Sequence, residues 1–332
     1  MMINKAVLHI FDFNSDMCVL SARELDFGSP AAGEFLERHI SKAFTDPDSK
    51  EGKFKSSSDF LELLEGYKSG ASDFLSFSAA VADFLYHQLS HGEKKDPNDF
   101  LVTEFYDGDV KYLAMFLFVN KTAFTHQVFN DEEGIHNEII RHKAILPGSS
   151  AKADAYALIC LEDNSINLFD KRRVIDGKET YVLRDIVLDC EYGISSKEAV
   201  KIVNKVAAQV AEEHGENAAV IVSKAKNFIA ENAAEGELFD VEEMGREVFA
   251  ENEVMQSDFR DKIAESNVPN NVRIDKAYAE RSSRSHKIRT DTGIEITFPA
   301  DYSGNSDFME FINNPDGTIS IELKNINKII NR

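Results

Sequence analysis

Phe100 to Val119 constrains the fold most. Two apolar-rich runs, Phe100–Tyr106 and Val110–Val119, flank Asp107-Gly108-Asp109. An Asp-Gly turn between two such runs is the strongest short-range signal for a β-hairpin. Val110–Val119 is also the longest apolar run in the chain, and Lys111 interrupts it. It falls well short of the roughly 18 residues that a membrane-spanning helix needs, so it reads as a buried strand. Further strands are predicted on both sides of this pair. Ile3–Phe11 and Met17–Ala22 are apolar-rich around Asn14-Ser15, and Ala155–Leu161, Ile166–Phe169 and Tyr181–Leu188 continue the β pattern.

Helices are predicted between the strands. Ser29-Pro30 opens Pro30–Phe44, with Ser as cap and Pro in the first turn. Thr45–Lys55 is polar and reads as a loop. Ser58 caps Asp59–Tyr67, and Ser72 caps Asp73–Leu89. In the last of these, Phe74, Phe77, Val81, Phe84 and Leu85 recur at helical spacing, as a core stripe does. A mostly antiparallel sheet with helices to one side is the expected architecture, an α+β domain over residues 1–192.

Near residue 193 the pattern changes. Ser195 or Ser196 caps a helix to about His214, with Ala199, Val203, Val206 and Val210 on one face and Gly215 at its end. Asn217–Ala234, Val241–Glu253 and a shorter stretch near Asp258–Glu265 follow as helices, until Pro269-Asn270-Asn271 breaks the run. Two hairpins close the chain: Lys287–Thr290 with Ile294–Phe298, and Phe308–Ile312 with Thr318–Leu323 across Asn314-Pro315-Asp316-Gly317. The second domain is therefore 193–332, a helical segment plus a C-terminal β-hairpin region.

The chain of 332 residues has a formal net charge of -21. Proteins that coat nucleic acid by bulk charge are usually basic, so any DNA contact has to come from a local patch. Arg273, Lys276, Arg281, Arg284, Lys287 and Arg289 supply one. These six bases face only Asp275 and Glu280, among serines and a histidine able to bond phosphate oxygens. Just before them, Glu231–Glu265 holds twelve acids against three bases. A second basic cluster, Lys171-Arg172-Arg173 with Lys178, surrounds a predicted turn and reads as a charged hairpin edge.

Enzyme signatures are missing: no GxxxxGK[ST], GxGxxG, GxSxG or HExxH occurs. His136 and His142 lie in the densest His-containing stretch, but no ligand spacing accompanies them. Asp131-Glu132-Glu133-Gly134 lacks calcium-loop spacing and reads as a solvated turn. Asp316, Glu322 and Lys324 match the proline-aspartate and Glu-x-Lys pattern of metal-dependent nucleases, in which two carboxylates hold a divalent ion. Asn-Pro-Asp-Gly is ordinary turn chemistry and Ile321–Lys324 ordinary strand alternation, which explain every residue of the pattern, so the structural reading is favoured. Cys18, Cys160 and Cys190 are isolated and odd in number, so they read as small buried hydrophobes in a reducing compartment. Met1–Ile10 lacks the features of a signal peptide.

Several strings resemble those of the bacterial nucleoid-associated protein family, the roughly 37-kDa NdpA-like proteins. They are Ile3-Asn4-Lys5-Ala6-Val7-Leu8-His9, Ser72-Asp73-Phe74-Leu75-Ser76-Phe77-Ser78, Lys111-Tyr112-Leu113-Ala114, Gly293-Ile294-Glu295-Ile296-Thr297-Phe298 and Asn314-Pro315-Asp316-Gly317-Thr318-Ile319-Ser320-Ile321. The resemblance runs nearly end to end and consists of fold motifs. It implies a cytoplasmic, nucleoid-linked homodimer that acts by binding, without cofactor or metal. Its partners would be DNA and chromosome-handling proteins such as type II topoisomerases. Three functions follow as expectations: a non-enzymatic DNA binder using the six bases; an acidic protein-interaction module brought to the nucleoid by a partner; and a metal-dependent nuclease.

Overall fold

The computed structural model describes all residues except 133, 236, 237, 300, 301, 303–306, 317, 329, 331 and 332, and only the backbone at 234, 235 and 313. The fold is α+β, in two compact units, Met1–Gly193 and Ile194–Arg332.

The first unit is built on an eight-stranded sheet. In chain order its elements are β1 (Met2–Asp12), β2 (Met17–Val19), α1 (Pro30–Phe44), β3 (Lys50–Phe54), α2 (Asp59–Lys68), α3 (Phe74–Ser90), β4 (Asn98–Asp107), β5 (Val110–Val119), β6 (Lys121–Asp131), β7 (Gly134–Ile145), β8 (Ala155–Cys160), β9 (Ile166–Asp170), β10 (Arg173–Ile175), β11 (Lys178–Thr180), a π-helical turn (Val182–Val187) and β12 (Cys190–Tyr192). The sheet order is β12-β3-β9-β8-β5-β4-β1-β2, and each neighbouring pair is antiparallel. The β4–β5 hairpin forms as predicted, with Gly108 at φ 60 in its turn.

Helices cover both faces of this sheet, which corrects the one-sided expectation. Alternate residues of a strand point to opposite faces. Phe100 and Val102 join Leu113, Met115 and Leu117 under α2, α3 and the π turn. Leu101 and Phe105 join Ala114, Phe116 and Phe118 under α1, where Leu36, Ile40 and Ala43 meet them. A central strand buried on both sides has no polar face, hence the unbroken apolar run of β5.

Local signals shifted in several places. Pro30 starts α1 as expected, but Ser29 makes no side-chain cap bond. Ser58 caps α2 by accepting from the Leu61 N–H. The cap of α3 is Asp73 rather than Ser72, and its carboxylate accepts from the Ser76 N–H. Phe74, Phe77, Val81 and Leu85 are core, whereas Phe84 is 44% exposed. The predicted loop 45–55 contains β3, which hydrogen-bonds to β9 and β12 on its two edges. Tyr181–Leu188 is not a strand. The Asp170 carboxylate accepts from the N–H groups of Leu183 and Arg184 at 2.7 and 3.1 Å, which winds that segment into the π turn. Cys160 and Cys190 are buried, while Cys18 is half-buried.

The second unit has the elements α4 (Ser196–Glu213), α5 (Ala218–Glu235), β13 (Phe239–Asp240), α6 (Val241–Val248), α7 (Glu253–Glu265), β14 (Asn271–Val272), α8 (Lys276–Ser283), β15 (Ser285–Arg289), β16 (Glu295–Pro299), β17 (Met309–Asn313) and β18 (Ile319–Leu323). Ser195 and Glu198 form a full capping box at α4, and Ala199, Val203, Val206 and Val210 are buried as their spacing predicted. The segment expected as one helix from Val241 to Glu253 ends at Val248. Asn252 then caps α7 by accepting from the N–H groups of Val254 and Met255. The core lies among α4 to α8. Both C-terminal hairpins form, and Phe298 of one meets Phe311 of the other at 6.4 Å. Gly317, expected in the last turn, lies outside the described residues.

Candidate nucleic-acid interface

The six bases between Arg273 and Arg289 fall on β14's exit, α8 and β15. Asp275 caps α8 by accepting from the Tyr278 N–H at 2.8 Å. Ala279 is fully buried, and through it α8 packs on α5. With Ala279 inward, Ala277, Arg281 and Arg284 lie along the exposed side, spaced at four and three residues. The Arg281 Nε donates to the Ala277 carbonyl at 3.0 Å, which lays that side chain along the helix.

β15 continues the strip by strand alternation. His286 faces inward, where it stacks on Phe298 and shares a 3.0 Å hydrogen bond with the Ser223 Oγ of α5. Burial, aided by the nearby Lys226 ammonium, pushes the His286 pKa down to about 4, so the ring is neutral at pH 7. Ser285, Lys287 and Arg289 therefore face solvent together. Lys287 pairs with Glu295 across the hairpin at 2.7 Å, and both side chains are exposed. Such a pair is weak and easily exchanged for a phosphate. Arg284 and Arg289 have no ion-pair partner among the described residues. All six side chains are exposed. Lys226 of α5 lies near the inward His286 ring, half-buried, and burial lowers its pKa.

The second basic cluster is different. Lys171 pairs with Asp154 at 2.5 Å, and Arg172 pairs with Glu179 at 2.9 Å. Lys178 lies on the short β10–β11 hairpin, turned by Asp176 and Gly177 at positive φ. Two of the four bases in this cluster are thus paired with acids.

Asp316, Glu322 and Lys324 do not converge. Asp316 accepts from the Thr318 N–H and Oγ1 at 2.9 and 2.6 Å, which is turn chemistry. Glu322 lies opposite Glu310 toward the far end of β18. Four residues of strand between Thr318 and Glu322 place it about 13 Å along the hairpin. Lys324 bonds Glu310 and lies 3.7 Å from Glu322. His136 and His142 are six residues apart on one strand, about 20 Å, and do not meet either. Among the described residues no three His, Cys, Asp or Glu side chains form a metal-holding group. No helix there is long and apolar enough to cross a membrane.

The acid-rich stretch runs from the end of α5 through α6 and α7, with Glu242, Glu243, Glu247, Glu253, Asp261 and Glu265 of those last two helices exposed, and Glu251 between them exposed too. A cleft of about 320 Å³ lies between these helices, lined by Val241, Gly245, Arg246, Phe259, Arg260 and Ile263.

Among known families, a model described as nucleoid-associated protein YejK matches residues 7–331. No curated protein matches the chain.

Proposed function

This chain belongs to the nucleoid-associated protein YejK family, and from that premise we propose that it binds DNA directly, weakly and without sequence preference, with no chemical step. The observation that carries this reading is the contrast between the two basic clusters. Lys171 and Arg172 of one are tied to acids, whereas in the other Lys287 pairs with Glu295, and Arg281, Arg284 and Arg289 line an exposed helix side and strand face with no acid paired to Arg284 or Arg289 among the described residues. Contacts from such a strip go to phosphates, which position a protein on DNA and carry no sequence information. Residence at the nucleoid in the cytoplasm follows from the same reading.

Salt dependence tests it. Binding that neutralises four phosphates has a log–log salt slope of about -3.6, so affinity falls about 150-fold between 50 and 200 mM salt. The assay is fluorescence anisotropy of a labelled duplex. Binding too weak to detect at the lower salt would overturn the reading.

A second reading rests on the exposed acids of α6 and α7. Against a net charge of -21 they suit the basic surface of a DNA-handling partner, a type II topoisomerase or another chromosome protein, steered by charge. Co-purification that persists after nuclease digestion favours this reading, and co-purification lost with the DNA removes it.

A further inference from the structure

A cleft of about 320 Å³ opens in the first unit where the β10–β11 hairpin meets the segment after α3. Its walls are held by their own bonds. Gly92 bridges Ile175, the Glu93 N–H donates to the Val174 carbonyl at 3.1 Å, and the Asp176 N–H donates to the His91 carbonyl at 3.2 Å. Asp154 ties the hairpin's root to β5. One of its carboxylate oxygens accepts from Lys171 at 2.5 Å and the other from the Val119 N–H at 2.9 Å. Leu89, Val119, Val174 and Ile175 supply the apolar lining. A preformed apolar hollow with few polar groups is the usual form of a small-molecule site, and this one lies at the small end of the range of about 300–1,000 Å³.

Arg173 is the group in this lining that the fold leaves unused. Its neighbours Lys171 and Arg172 are bonded to Asp154 and Glu179. The Arg173 side chain makes no hydrogen bond or ion pair among the described residues, and its Nε is buried without a partner. Asp170 is close enough for the two charges to act on each other, yet its carboxylate accepts from the N–H groups of Leu183 and Arg184 and not from Arg173. A buried N–H left unpaired is costly, and folded proteins keep few of them.

We propose that this cleft is a binding site for a small apolar carboxylate, held by Arg173. A guanidinium fork matches a carboxylate with two parallel N–H···O bonds, and the apolar body of the ligand then lies on the aliphatic lining. The remaining charges select a monoanion. Lys171 and Arg172 are cancelled by their partners, and Glu93, Lys94 and Asp96 line the cleft as exposed residues, two acids to one base. One free guanidinium beside surplus acid suits a single negative charge and disfavours a phosphate dianion. The same acids and the concave walls exclude a duplex, so the site is separate from the DNA reading and does not rest on it.

Ligand-observed NMR titration of the full chain tests it, with sodium benzoate as probe and benzyl alcohol as its uncharged counterpart. Phenyl phosphate serves as the dianion at about pH 8, well above the second phosphate pKa of about 6. The expected result is a benzoate dissociation constant of about 1 mM, with the other two at least about tenfold weaker. Arg173→Gln should lose at least about tenfold, and Arg173→Lys, which keeps the charge but not the fork, at least about threefold. Arg281→Gln, on the exposed strip, should bind benzoate like wild type. No side-chain bond is lost in either Arg173 variant, and circular dichroism checks that both fold. The Arg173 Nε–H gives a second readout. Its signal in a proton–nitrogen correlation spectrum, assigned by its absence from Arg173→Lys, should move as benzoate is added. Benzoate that fails to bind below about 20 mM, binds no better than benzyl alcohol, or binds Arg173→Gln as tightly as wild type overturns the proposal. An Arg173 Nε–H signal that stays fixed while benzoate binds overturns it too, and tighter binding of phenyl phosphate overturns the choice of carboxylate.

Discussion

Acidification should loosen the second unit beneath the basic strip, and His286 is the reason. The ring is 3% exposed, packed on Phe298 and bonded to Ser223. Burial holds its pKa down to about 4, against 6.5 for the free side chain. Below pH 6.5 the unfolded chain takes up a proton that the folded chain refuses, so folding loses stability as pH falls toward 4. Over that window the loss is about 1.4 kcal/mol per pH unit, hence about 2 kcal/mol between pH 7 and pH 5. Hydrogen exchange of α5 and β15 amides, corrected for the intrinsic rate's own pH dependence, reads this directly. Opening of these elements should become about 30-fold more favourable. His286→Gln keeps a polar partner for Ser223 but cannot titrate in this range. It should be less stable at pH 7 yet flat from pH 7 to pH 5. A variant that loses protection as steeply as wild type would refute the assignment to His286. The first unit gives a contrast. His9 and His39 are held down to about 4 by burial and push the same way, but burial raises Asp99 and Asp170 to about 6. A carboxyl that is easier to protonate when folded gains stability as pH falls through 6, so the aspartates offset much of the histidine loss.

Two substitutions test the packing. Glu104 is fully buried, and its carboxylate accepts from Tyr67, Asn4 and, at 2.8 Å, Lys111. Glu104→Ala removes the hub and strands those donors, which should cost about 3–5 kcal/mol in urea unfolding; a loss under about 1 kcal/mol would contradict the network. Gly245 faces Phe259 so closely that an added Cβ would lie 2.5 Å from its ring. Gly245→Ala should therefore cost about 1–3 kcal/mol by overpacking α6 against α7, and a neutral result by thermal melt would show that the ring moves freely.

What was legible in the sequence was what local chemistry decides. Pro30, Ser58 and Ser195 marked helix starts, and Asp107-Gly108 marked the central hairpin. What was not legible depends on distant partners. β3 reads Lys-Glu-Gly-Lys-Phe and becomes a strand only because β9 and β12 bond its two edges. The π turn exists because Asp170, thirteen residues away from Leu183, receives its N–H. The covering of both sheet faces was readable after all. An unbroken apolar strand such as Leu113–Phe118 calls for two apolar neighbours, not one. In the candidate site the six bases were visible as composition. Their placement was not, because α8 buries only Ala279 and shows no apolar stripe.

The central claim is that this strip, and no other surface, meets DNA. The most direct measurement is the salt slope of duplex binding for wild type and for R281Q/R284Q, with K171Q/R172Q as control. Losing two of four phosphate contacts should reduce the slope from about -3.6 to about -1.8, and the affinity change between 50 and 200 mM salt from about 150-fold to about 12-fold. The control should match wild type. An unchanged slope in R281Q/R284Q, or a slope reduced in K171Q/R172Q instead, would contradict the account.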